Sequence, residues 1–271
     1  MTSPILRRQY VDGRFGQLHV RRADPPAGVI SRHPPLLLFH MSPYSGVIWD
    51  NFLPAMAADR TVIAVDTPGF GSSDAPPAPP AIADYAAAMG DLIDALKLRP
   101  VDVMGYHTGS KIALELARQR GTQVRRIVMV SAAIWTDEEL AEHRATFAKS
   151  DLTTDGSHLA NSWQSVQRWS MKGRTLEQMA ETFHAKLMRP AISWWGHNAA
   201  FNYSTTDALK ALEHEILILN PEDDIWAFTP RAKQYLKRGR IVDLPGWSHG
   251  FLDVKTAEAA KIVREFLDAH P

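Results

Sequence analysis

The residues with the clearest chemical meaning in this 271-residue chain are Gly105-Tyr106-His107-Thr108-Gly109. An apolar, β-branched run at 101–104 precedes them, and Ile112, Leu116 and Ala117 follow at helical spacing. The expected local structure is strand, sharp turn, helix, with an imidazole presented at the turn. Such a turn imposes an unfavourable backbone conformation, and glycines two residues to either side relieve the clash between strand and helix. An imidazole of ordinary pKa, about 6.5, is largely neutral at pH 7, so its free nitrogen can attack an activated carbonyl without first losing a proton. The longer side chain would carry that nitrogen several bonds further into a pocket than a serine oxygen. The same ring can instead act as a general acid or base while the substrate supplies the reacting centre. A third reading gives it no chemistry, as a ring that fills a pocket and bonds to a polar neighbour.

The elements that must position this turn follow an alternating pattern. Short apolar runs at 36–39, 61–65, 101–104, 127–130, 216–219 and 241–244 have the length and composition of strands buried on both faces. Between them, Ile82, Tyr85, Met89, Leu92, Ile93 and Leu96 keep helical spacing, as do Ala259, Ile262, Val263, Phe266 and Leu267. Strand and helix in alternation predict an α/β domain with a mostly parallel sheet. Asp12-Gly13, between runs at 9–11 and 17–20, is a turn signal for an antiparallel hairpin on the sheet edge. Two segments break the alternation. A Pro-rich stretch at 75–80 reads as an exposed loop. The segment 134–213 has helical character, no convincing strand, and the tryptophans Trp163, Trp169, Trp194 and Trp195.

The central pentapeptide resembles the nucleophile elbow of the α/β-hydrolase family, with His107 where that family normally has Ser. Other segments extend the likeness in the family's order. Phe39-His40-Met41-Ser42-Pro43 is similar to its oxyanion loop, and Asp66-Thr67-Pro68-Gly69-Phe70-Gly71-Ser72-Ser73-Asp74 is similar to its Asp-x-x-Gly-x-Gly-x-Ser segment. Pro221-Glu222-Asp223-Asp224 resembles the loop that carries the triad acid, and Gly246-Trp247-Ser248-His249-Gly250 the loop that carries the triad histidine. The resemblance implies the α/β-hydrolase fold, with an eight-stranded-type sheet flanked by helices on both faces. It implies a core domain from 1–133 and 214–271, with 134–213 inserted as a helical cap.

It also implies an atypical triad of His107, His249 and Asp224, with the backbone amides of Met41 and Thr108 as the oxyanion hole. Asp223 and Asp137 are the alternative carboxylates. Tyr44, Tyr106, Trp195, Trp226 and His158 are expected to line an apolar, aromatic-friendly substrate pocket. Asp66 reads as a turn-fixing residue, Asp102 as remote from the site, and Ser110 as pointing along the helix. His40 could join His107 and His249 as a zinc triad, but a structural hydrogen bond is the expected role, and no metal is assigned. His33, His143 and His270 lack ligand spacing and read as surface residues.

The expected activity is hydrolysis or cofactor-free cleavage of a small apolar carbonyl compound, an ester, a lactone or a carbon-carbon bond. The alternatives are a lyase using His107 as acid or base, and a non-catalytic ligand-binding protein of the same fold. Thirty basic residues against thirty acidic ones leave no net charge to attract nucleic acid or an anionic membrane, so a small molecule is the expected partner, with a homodimer left open. No cysteine is present, which removes disulfides and thiol nucleophiles. The absence of a nucleotide-binding glycine motif removes dinucleotide and P-loop chemistry, and no cofactor is expected. Charges at Arg7, Arg8, Asp12 and Arg14 interrupt any secretory signal, so a cytoplasmic location is expected.

Overall fold

The computed structural model describes residues 4–150 and 152–269. His270 lies outside the described residues. The strands are β1 (Leu6–Gly13), β2 (Gly16–Ala23), β3 (Leu36–Phe39), β4 (Val62–Val65), β5 (Val101–Tyr106), β6 (Val124–Val130), β7 (Glu215–Pro221) and β8 (Gly239–Leu244). They form one eight-stranded sheet in the order β1-β2-β4-β3-β5-β6-β7-β8. The hairpin β1–β2 is antiparallel and joins β4 antiparallel, while every pair from β4 through β8 is parallel. This is the α/β-hydrolase fold. The helices are α1 (Phe52–Met56), α2 (Ile82–Ala95), α3 (Thr108–Arg120), α4 (Asp137–Thr146), α5 (Ser157–Trp169), α6 (Leu176–Leu187), α7 (Trp195–Phe201), α8 (Thr205–Ala211), α9 (Phe251–Val254) and α10 (Thr256–Leu267).

Alternate strand residues face two separate cores, which is why the central strands are mostly apolar. Leu37, Phe39, Val103 and Ile127 pack with Ile82 and Met89 of α2 and with Ile112 and Leu116 of α3. Leu36, Leu38, Met104 and Val128 pack with Phe52 and Leu53 of α1 and with Val263 and Phe266 of α10. Several strand boundaries differ from the hydropathy pattern, those of β6 and β5 among them. β6 begins at Val124, three residues before the apolar run, because the buried Arg126 satisfies its guanidinium with Glu215 and with the carbonyls of Phe266 and Leu267. β5 continues through Gly105 and Tyr106, which still pair with Met129 and Val130.

Between β6 and β7 the described residues hold α4 to α8 and no named strand. This segment is fastened to the loop carrying His249. The amide of Met171 donates to the His249 carbonyl at 2.8 Å, and the Ser248 hydroxyl donates to the Trp169 carbonyl at 2.7 Å. The nearly buried Arg174 donates through Nε to Asp253 of α9 at 2.8 Å and through Nη2 to Thr182 of α6 at 2.6 Å. α8 behaves differently from its neighbours: its Ala208 and Leu209 lie in the same core as α3. Among the described residues no helix is long and apolar enough to cross a membrane.

Candidate active site

The turn after β5 places His107 at φ 47°, ψ −106°, a conformation that a side chain with a Cβ adopts only under constraint. The constraint is the close approach of strand and helix. A Cβ at Gly105 would lie 2.1 Å from the backbone of Gly109, and one at Gly109 would lie 2.1 Å from the Phe39 carbonyl oxygen. Both glycines are therefore required for β5, β3 and α3 to meet. The His107 amide donates to the Val130 carbonyl at 3.0 Å, which ties the turn to β6.

The loop after β7 supplies two carboxylates that point in different directions. Asp223 is fully buried, and its Oδ2 accepts from His107 Nε2 at 2.8 Å and from the Ser131 hydroxyl at 2.7 Å. Its Oδ1 accepts from the Ile225 amide at 3.0 Å. Asp224 is more open and holds His249 Nε2 at 2.7 Å, while the Tyr106 hydroxyl lies 3.1 Å from His249 Nδ1. The two imidazole rings face each other edge-on with centroids 5.3 Å apart. A ligand atom from each of His107, Asp223, Asp224 and His249 lies within 4.8 Å of the others.

Electrostatics follow from this pairing. Burial works against a charge on His107, but the Asp223 carboxylate beside it wins and raises its pKa above the ordinary value. Burial would raise Asp223 and Asp224, yet the neighbouring imidazoles hold both below the usual carboxylate range. Burial, with these carboxylates nearby, raises the Tyr106 phenol far above its ordinary value, so it stays a neutral donor. With Nε2 of His107 bound to Asp223, its free nitrogen is Nδ1, only two bonds from Cβ. The expected long reach into the pocket is thus not realised, because the ring is turned aside toward a buried carboxylate.

Two cavities meet at His107 and Asp224. The first, of about 250 Å³, is lined by Met41, Tyr44, Tyr106, Arg174 and His249. The second, of about 230 Å³, is more apolar and is lined by Thr108, Lys111, Trp135, Phe201 and Phe228. Phe147 and His197 border both and stack with centroids 4.5 Å apart. Burial depresses His197 to about 4, so it is a neutral wall residue. Three expected pocket residues lie elsewhere. Trp226 is 46% exposed. Trp195, half-buried at the start of α7, borders neither cavity, and its neighbour Trp194 borders a third one. His158 borders that third cavity with its Nδ1 bonded to Thr153.

His143 departs from its expected surface role: it lines the second cavity, edge-on to Trp135 at 4.3 Å. His33 is partly buried in an ion-pair hub with Asp59 and Asp268, whose carboxylates also serve Arg60 and Arg264. His40 uses both ring nitrogens structurally: Nδ1 donates to the Met41 carbonyl, and Nε2 accepts from the Thr67 amide. Asp66 accepts from the amides of Gly46 and Ser72, which fixes its turn. Asp102 is buried against Arg125, and the Ser110 hydroxyl donates to the Gly105 and Val130 carbonyls. The two histidines and two aspartates of the cleft are metal-capable donors, but each imidazole Nε2 is already engaged by a carboxylate. Asp223 as the partner of His107, and the cavity residues Lys111 and Arg174, are what sequence reasoning missed. An adjacent pair of acids after β7 was the available signal for the first.

A mostly parallel eight-stranded sheet with a constrained turn after β5, and with acid and histidine on later loops, defines a hydrolase-type scaffold. Residues 34–250 match the alpha/beta hydrolase fold family, and the chain belongs to it. An uncharacterized protein of Mycobacterium tuberculosis is 35% identical over 120 residues, which span 44% of this chain and 34% of that protein, so the match covers about a third of the relative. The 2-hydroxymuconate semialdehyde hydrolase of a Pseudomonas species is 29% identical over 212 residues, 70% of each chain. Among solved structures, the enol-lactonase of Burkholderia xenovorans superposes with a TM-score of 0.79 at 19% identity, covering 96% of this chain and 100% of that one.

Proposed function

We propose that the protein is an enzyme that cleaves a small, mostly apolar carbonyl compound, an ester, a lactone or a carbon-carbon bond next to a carbonyl, without a cofactor. The observation that carries this reading is the pair of histidine–carboxylate couples facing each other across one cleft. Relatives named as a semialdehyde hydrolase and an enol-lactonase support the reaction class. The substrate carbonyl sits at the junction of the two cavities, its oxygen directed at the amides of Met41 and Thr108. Thr108 is the first residue of α3, so its amide has no carbonyl partner within the helix. The helices between β6 and β7 serve as the cap that closes over the cleft.

Within this reading the Asp223 bond favours acid–base use of His107 over attack by its ring. The hydrogen bond pins the ring as a His–Asp couple does for a general base, and a raised pKa makes the unprotonated ring a stronger base. His107 Nδ1 takes a proton from water as the water adds to the carbonyl. The imidazolium formed at His107 returns that proton to the leaving group as the carbonyl re-forms, while the His249–Asp224 couple, with Tyr106 donating to Nδ1, faces it across the cleft.

A panel of activated esters and lactones tests the proposal with wild type, His107→Ala and His107→Ser. Turnover by wild type that falls by about 10²-fold or more in His107→Ala supports it. Wild type inert on the whole panel, with esterase activity gained in His107→Ser, would refute it. Rapid quench and mass spectrometry separate the two roles: an acyl adduct on His107 would show attack by the ring, and turnover without one is expected.

A further inference from the structure

The second cavity contains a cation that the proposed chemistry does not use. Lys111 sits on α3 one turn beyond His107, and its Nζ donates to Oγ1 of Thr205, the first residue of α8, at 2.6 Å. Among the described residues this ammonium has no carboxylate counter-ion, although it borders a cavity walled by Trp135, Phe201 and Phe228. Burial without an anion pushes it down to about 8. A cation held in apolar surroundings without an opposite charge is costly, and an ion that supplied the charge would be bound there.

We propose that Lys111 and Thr205 form a subsite for a carboxylate borne on a short apolar or aromatic chain whose other end reaches His107. The donors are already arranged for it. Because Thr205 Oγ1 accepts from Lys111, its own hydroxyl hydrogen remains to be donated, and the ammonium keeps two further N–H groups. A carboxylate needs no more than these, whereas a phosphate dianion would leave charge and acceptors unmatched. The aromatic wall gives the chain apolar contact, with Trp135 and Phe228 ring centroids 4.3 Å apart. The subsite rests on the reading of the central cleft as the reaction centre only for what the bound acid becomes, so binding alone tests it.

Isothermal titration calorimetry with phenylacetate and its neutral isostere phenylacetamide measures the preference without any turnover. Wild type binds the acid at least about tenfold more tightly than the amide, a charge-assisted contact being the difference. Lys111→Met abolishes that preference, and Thr205→Val reduces it. Should Lys111→Met fail to fold by circular dichroism, Lys111→Gln makes the same comparison with chain length and polarity kept. Equal affinity for acid and amide, no binding of the acid by wild type, or a preference retained in the Lys111 variants would overturn the proposal. Failure of the ester panel with an intact acid preference would refute the reaction and leave the subsite standing.

Discussion

Two adjacent aspartates of one loop serve different histidines, and on the proposed function that division governs the chemistry of the cleft. Asp223 is fully buried and shares its carboxylate between His107 and Ser131. Asp224 is partly open and holds His249. Replacing Ser131 with Ala removes one of the bonds to Asp223 and leaves its charge resting more heavily on His107, so the His107 pKa, read by NMR, is expected to rise further. No change would mean that Ser131 does not share the carboxylate. The pairing of His249 with Asp224 was legible in the loop motifs, because their order and spacing follow the family's. The partner of His107 was not, since which way each of two neighbouring acids points depends on backbone turns and on a ring 116 residues away.

At the scale of elements, the meeting of β5, α3 and β3 leaves no room for side chains at Gly105 and Gly109. Gly109→Ala forces a Cβ onto the Phe39 carbonyl and is expected to destabilise the fold by roughly 3 kcal/mol or more, measured by chemical denaturation. A change below about 0.5 kcal/mol would show that the turn has slack. α7 meets the loop after β3 with similar closeness, because a Cβ at Gly196 would lie 1.8 Å from the Ser42 hydroxyl oxygen. Gly196→Ala should therefore displace the loop carrying Met41 and lower kcat by about tenfold or more, while secondary structure measured by circular dichroism stays unchanged. The central strands were readable because burial on both faces makes most of their residues apolar. The start of β6 was hidden because Arg126 is buried and neutralised by partners far along the chain.

For the whole molecule, the decisive feature is how the helices between β6 and β7 are anchored beside the cleft. Arg174 joins α6 to α9 through Thr182 and Asp253, and the strand-like contact of Met171 with His249 binds the same segment to the loop that carries His249. Arg174→Met breaks this buried pair, with an expected loss of roughly 3 kcal/mol and faster amide hydrogen exchange in α5 and α6 than in β5 or β6. Uniform protection across these elements would contradict that role. Composition had revealed a helical segment rich in tryptophan, but not which rings face the cleft. Trp226 lies outside and Phe147 inside for reasons of tertiary packing alone. The account as a whole depends on His107 reacting under the control of Asp223. The pH dependence of kcat/KM on a hydrolysed ester, in wild type and Asp223→Asn, tests this most directly. Activity should rise with pH as His107 loses its proton, with a wild-type inflection above about 6.5, and the inflection should move to lower pH with a smaller plateau in the variant, because the carboxylate that raises the pKa is gone. Identical inflections and plateaus in the two proteins would contradict the account.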